Sequence, residues 1–176
     1  MPNHVKTVVK ISKLKREEKI DLLNRLCHKD PDDPLGYYFD FNKLIPEPKT
    51  IEECPDDCIR TEKSCIEPDE DRPWFDWYAW RSKYWHTKWN TYSAYTIIKN
   101  ASIYFVFNTA WSPATPVFEK LLELYDYEIE IRWADEDWGH NCGKIIHNKG
   151  ERTHTTFLED ALTNSRNFSK SLWEKY

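Results

Sequence analysis

The sequence predicts an α+β fold: an antiparallel sheet with helices packed on one face, in a split βαβ order. Three observations carry that prediction. Segments with the period-two alternation of strands are interspersed with segments of helical period. Residues 94–111, AYTIIKNASIYFVFNTAW, hold two β-branched and aromatic runs separated by four turn residues, the pattern of a hairpin and so of antiparallel pairing. Only 4 glycines occur in 176 residues, so the glycine-marked turns of parallel βα repeats are missing.

Each element follows in order. Val5, Thr7, Val9 and Ile11 alternate with Lys6, Val8 and Lys10, which predicts a first strand. From Lys15, helical spacing of Ile20, Leu23, Leu26 and Cys27 predicts an amphipathic helix that ends near the DPDDP stretch, where proline stops it. GYYFDFNKLIPEP reads as a short strand closed by Pro46 and Pro48. Residues 51–72 carry nine acidic and three basic residues without a long apolar period, and read as an acidic insertion or loop.

From Pro73, the aromatic stripe of Trp74, Trp77, Tyr78, Arg81, Tyr84 and Trp85 predicts a second helix. After the hairpin, Thr115 and Pro116 open a helix whose apolar positions are Val117, Leu121, Leu122 and Leu124. Tyr127, Ile129, Ile131 and Trp133 alternate with Glu128, Glu130 and Arg132 in a one-sided strand, and CGKIIHNKG returns antiparallel. A capping box from Thr156 to Glu159, followed by Phe157, Ala161, Phe168 and Leu172, predicts a C-terminal helix over residues 153–176. The whole chain, 1–176, reads as one domain.

Composition excludes several classes. A formal charge of −5 gives no global attraction to a phosphate backbone. No apolar run approaches the roughly 20 residues that span a bilayer, and MPNHVKTVVK lacks a signal-peptide core, so the chain is expected in the cytoplasm. Five cysteines in that compartment argue against a disulfide framework. Cys54 and Cys58 are separated by Pro-Asp-Asp, with Cys65 nearby and His140 and Cys142 in WGHNCG, but no matching ligand pair appears. The expectation is reduced, solvent-facing thiols, no metal and no cofactor.

No Ser-His-Asp order, phosphate loop or HExxH pattern is present, so no catalytic residue is assigned and the chain is expected not to be an enzyme. The acids of ADEDWGH read as a solvated turn.

What stands out is aromatic density: 9 tryptophans, several next to polar residues. Packing of helices onto the sheet explains most aromatics. Their polar companions suggest a binding face, with Trp85, Lys88, Trp89, Asn90 and Trp111 as candidate partner-binding residues, joined by Asp135, Glu136, Asp137 and Trp138. Tryptophan and tyrosine anchors in an acidic setting suit a basic groove on a protein or nucleoprotein partner. The alternative is single-stranded nucleic acid held by Trp85, Lys88, Trp89 and Trp111, against which stand the acidic 51–72 segment and strands that lack the aromatic-and-basic signature of an RRM.

MPNHV, FDFNKLIPEP, TKWN and FNTAWSPATP together resemble a family of bacteriophage, prophage and plasmid proteins related to YubB. The similarity runs from Met1 to about Gly143 and is most specific in the ordered pair TKWN and TAWSP. The resemblance implies a ferredoxin-like domain and a mobile-element setting. Together with the acidic 51–72 segment and the missing catalytic motif it leads to the expectation of a non-enzymatic protein that binds a host protein, with a counter-defence role, as of an anti-CRISPR-type inhibitor, inferred from that setting. It assigns no catalytic residue. Two departures are local: His86 stands where the family usually has glycine before TKW, and residues 51–72 resemble an insertion.

Overall fold

A computed structural model describes residues 3–32, 36–60, 74–148, 151–156 and 162–176. Along the chain come β1 (His4–Ser12), α1 (Arg16–Leu26), β2 (Cys27–Lys29), β3 (Tyr37–Phe39), β4 (Ile59–Arg60), β5 (Trp74–Phe75) and α2 (Trp77–Tyr84). There follow β6 (Tyr92–Lys99), β7 (Ser102–Ala110), α3 (Thr115–Leu124), β8 (Glu128–Asp135), β9 (Gly143–Asn148), β10 (Glu151–Thr156) and α4 (Leu162–Lys175).

The alternation of β1 sets the architecture. Val5, Thr7, Val9 and Ile11 are buried on one side and Val8 on the other, so β1 is a central strand covered on both faces. It pairs antiparallel with β7 and β8; β6 extends the sheet beyond β7, and β9 and β10 extend it beyond β8. The resulting order is β10-β9-β8-β1-β7-β6. Within it, β1-α1-β6-β7-α3-β8 is the ferredoxin-like βαββαβ unit with spatial order β8-β1-β7-β6.

α1 and α3 cover one face, as the spacing predicts, burying Leu22, Leu23, Leu26, Val117, Phe118 and Leu121 against Val5, Val9, Phe105, Phe107, Ile129 and Ile131. Two phases differ from expectation: Ile20 and Leu124 are 52% and 53% exposed, while Leu22 and Phe118 take the inward positions. In α2 the residue packed inward is Trp80, and Trp77 and Tyr78 face solvent. The helix starts later than the proline suggested: Asp76 caps it by accepting from Ala79 N at 2.9 Å, and Pro73 lies outside the described residues.

A hairpin of β2 and β3 leans on β6, with Thr96 Oγ1 donating to Tyr37 O and Thr91 Oγ1 to Phe39 O. The acidic insertion is described only to residue 60, where two short 3₁₀ turns precede β4. Its thiols are not solvent-facing. Cys54 donates to Thr50 O at 3.2 Å and Cys58 is 1% exposed; Cys142 is buried as well, and Cys65 lies outside the described residues.

The C-terminal helix covers the opposite face of the sheet from α1 and α3. Leu172 packs with Val8, Val106, Ala134 and Cys142, and Trp173 Nε1 donates to the carbonyls of Ala134 and Asp135 at 3.2 and 3.0 Å. The expected helical start near residue 153 is corrected: 151–156 pair with β9 as a strand, in keeping with the β propensity of a Thr-rich run, and the helix begins at Leu162. Glu159 of the expected capping box, with Phe157 and Ala161, lies outside the described residues. Among the described residues no helix is long and apolar enough to cross a membrane.

Candidate functional site

Four stretches far apart in sequence, those at residues 3–5, 39–48, 87–90 and 107–116, meet at one end of the sheet because β1 starts where β7 and β8 end. The central register pairs His4 with Ala110 and Val5 with Asp135. Trp111 N then donates to Asn3 O at 2.9 Å, Asn3 Nδ2 donates to Asp137 at 3.0 Å, and His4 Nδ1 lies 2.6 Å from the Tyr92 hydroxyl.

The loop between α2 and β6 is built around a core tryptophan. Trp85 is fully buried, its indole N–H donating to Ile45 O at 3.0 Å and its ring set edge-to-face against Phe41 and Trp80. This corrects its assignment as a partner-binding residue: it has no surface to offer, because the IPEP turn supplies the acceptor its N–H needs once buried. Glu47 of the same turn holds α2 through a two-pronged pair with Arg81 at 2.8 and 2.7 Å. Next, buried Thr87 clips the loop to the end of β7, its hydroxyl donating to Ala110 O and accepting from Ala110 N, both at 3.0 Å. Asn90, half-buried, turns its hydrogen bonds inward: Oδ1 accepts from Phe41 N and Thr91 N, and Nδ2 donates to Asp40 at 2.7 Å.

Trp111 is left exposed, with Lys88 and Trp89 half-buried beside it. The Lys88 ammonium lies 5.0 Å from the Trp89 ring and 5.5 Å from the Trp111 ring, and Trp111 is 45% exposed. Tyr78 meets Trp111 edge-to-face at 6.5 Å and Trp77 at 5.9 Å, so α2 extends the row into one aromatic ridge. Trp77 and Tyr78 belong to the sequence's helical stripe but were not assigned a binding role there; spacing alone does not say which side of α2 faces out.

The ridge is held by strained, cross-linked loops. His86, Trp111 and Asn141 all have positive φ, at 58°, 68° and 39°. Ser112 Oγ donates to His86 O, and Asn141 Nδ2 donates to Trp111 O at 3.0 Å. For a residue as bulky as tryptophan the left-handed region is an outlier, and such strain persists only where the surroundings impose it.

The acidic turn adjoins the ridge through Asn3 and Asn141. Asp135 is buried rather than presented, its carboxylate accepting from Asp137 N at 3.0 Å and its residue 5% exposed. That corrects its place among the exposed acids: it is the brace of the turn. Glu136 accepts from His4 N at 2.9 Å, while Glu136, Asp137 and Trp138 remain on the surface around an open depression of about 470 Å³ that His140 and Arg166 complete. Lys170 lies 5.9 Å from the exposed Trp138 ring. Among the described residues no group of three His, Cys, Asp or Glu side chains is placed to hold a metal ion.

Burial tunes two groups bordering this end. The Tyr92 phenol is pushed up to about 12, first by desolvation and then by Glu136. Cys27, at the base of the β2–β3 hairpin, is also pushed up to about 12, by burial and then by Asp40.

No curated protein and no solved structure matches the chain. A family model described as the ferredoxin-like domain in Api92-like protein matches residues 84–174, from the end of α2 through α4, and so takes in Lys88, Trp89, Trp111 and the acidic turn. With the order of the sheet, that match leads to the conclusion that the chain belongs to the family of ferredoxin-like domains of Api92-like proteins.

Proposed function

We propose that this chain is a non-enzymatic accessory protein of a phage or mobile element that binds a host protein through the aromatic ridge, in a counter-defence role. The observation that carries the binding reading is the contiguous outward row Trp77, Tyr78 and Trp111, with Lys88 against the Trp111 ring, fixed by hydrogen bonds between three loops. Exposed aromatics in edge-to-face contact bury large areas on docking, and loops already locked in place lose little conformational freedom when they do. The mobile-element setting rests on the resemblance of MPNHV, FDFNKLIPEP, TKWN and FNTAWSPATP to the YubB-related phage, prophage and plasmid proteins.

The acids beside the ridge favour a partner with basic groups at the rim of an apolar groove. They also weigh against single-stranded nucleic acid on this surface, and Trp85 is inside the core rather than available to stack.

The test is quantitative capture of host proteins on the immobilised chain. A saturable partner is expected, with Trp111→Ala and Tyr78→Ala each weakening it at least about tenfold while near-UV circular dichroism stays native. Absence of any saturable partner, or indifference of the captured protein to both substitutions, overturns the reading. Relief of host interference with phage growth on expression of the chain, lost in Trp111→Ala, reads the counter-defence role.

A further inference from the structure

The sheet face beneath α4 is charged oppositely to the chain as a whole. Strand register places Lys6, Lys10, Lys99, Arg132 and Lys144 there, with Glu128, Glu130 and, on the outer strand β10, Glu151 the strand carboxylates among them, whereas the formal net charge of the chain is −5. Arg132 and Lys144 share Glu130, at 3.3 and 3.8 Å. Lys10 and Lys99 pair with no carboxylate among the described residues. They instead flank one half-buried ring: their ammonium groups stand 6.0 and 4.8 Å from the centroid of Tyr104.

Tyr104 lies on central strand β7, and the ring of Tyr176 stacks on it at 6.3 Å and 28°. Tyr176 is fixed in turn: Arg132 Nη2 donates to its hydroxyl at 3.3 Å and Tyr95 donates to its main-chain oxygen. Two stacked rings bordered by unpaired ammonium groups supply both halves of what a single strand needs, π faces for bases and cations for phosphates. A duplex hides its base faces, so the ring pair selects against it.

We propose that this half-covered face, independent of the aromatic ridge, binds single-stranded nucleic acid, with Tyr104 and Tyr176 as the stacking platform and Lys10 and Lys99 contacting phosphates. The test is fluorescence anisotropy of the purified chain with a labelled single strand of about 12 nucleotides at about 50 and 200 mM salt. Saturable binding that weakens with salt is expected. Tyr104→Ala is expected to lose about tenfold in affinity. The double variant Lys10→Ala/Lys99→Ala, which touches only surface ammonium groups and so keeps the test sound if the Tyr104 variant misfolds, reduces the log–log salt slope by about 1.4. Trp111→Ala leaves strand affinity unchanged, which separates this site from the protein-binding reading. No saturable binding at the lower salt, equal competition by a duplex of the same sequence or by poly-glutamate, or a double variant with unaltered slope overturns the proposal.

Discussion

His86 holds a φ of 58° in the loop after α2, a conformation that crowds Cβ against the following carbonyl and costs about 1–2 kcal/mol for a non-glycine residue. Glycine removes that crowding but adds freedom to the unfolded chain, so His86→Gly is expected to stabilise by up to about 1 kcal/mol, raising the thermal midpoint by about 2–4 °C. A fall in the midpoint contradicts it. Gly143 has the opposite constraint. A Cβ there would come within 2.2 Å of the Trp133 ring, its cross-strand partner, so Gly143→Ala is expected to cost about 1–3 kcal/mol in urea unfolding. The sequence shows a glycine at that position but not the indole lying over it, because the neighbour is set by register. For the same reason it marks Trp85, Lys88, Trp89, Asn90 and Trp111 as one group, while the fold divides them: Trp85 is core, Asn90 spends its side chain bracing the loop, and Lys88 and Trp89, half-buried, border the exposed Trp111.

Among the elements, strands were readable in phase and helices were not always. Alternation has two possible phases, and the apolar one must face the core, so the inward side of β1 and β8 follows directly from Val5, Val9, Ile129 and Ile131. α2 carries aromatics around most of its circumference, so its period gives a helix without saying that Trp80 points in. α4 shows the energetic side of the same distinction. Leu172 is 1% exposed between the helix and β1, β7 and β8, whereas Ile20 on α1 is 52% exposed although its spacing looks equally apolar. Leu172→Ala is therefore expected to cost about 2–5 kcal/mol and Ile20→Ala less than about 0.5 kcal/mol, measured as paired urea midpoints with unchanged slopes. Similar losses for both would mean that α4 does not close the second face.

At the scale of the molecule, the convergence of four distant stretches at one sheet end was the part of the site least legible in sequence, since it depends on β1 pairing with partners about a hundred residues away. That same compact burial fixes how the whole chain responds to alkali. Cys27 is held near 12 against an ordinary 9.0, and Tyr92 near 12 against 10.0, while burial also raises Tyr95, Tyr125, Tyr127, Cys54, Cys58 and Cys142. In each case the folded state keeps the proton that the unfolded state gives up. The contribution is present in full below the unfolded value and lost as pH climbs toward the folded one, so stability is expected to decline from about pH 9 upward and to keep falling toward pH 12. Rising negative charge on an already acidic chain pushes the same way, but only the charge repulsion is screened by about 1 M salt. Urea midpoints measured from neutral pH to pH 11 at low and high salt separate the two: a limb that persists in salt and flattens in Cys27→Ala and in Tyr92→Phe is the burial effect, and a limb that salt abolishes assigns the loss to net charge instead.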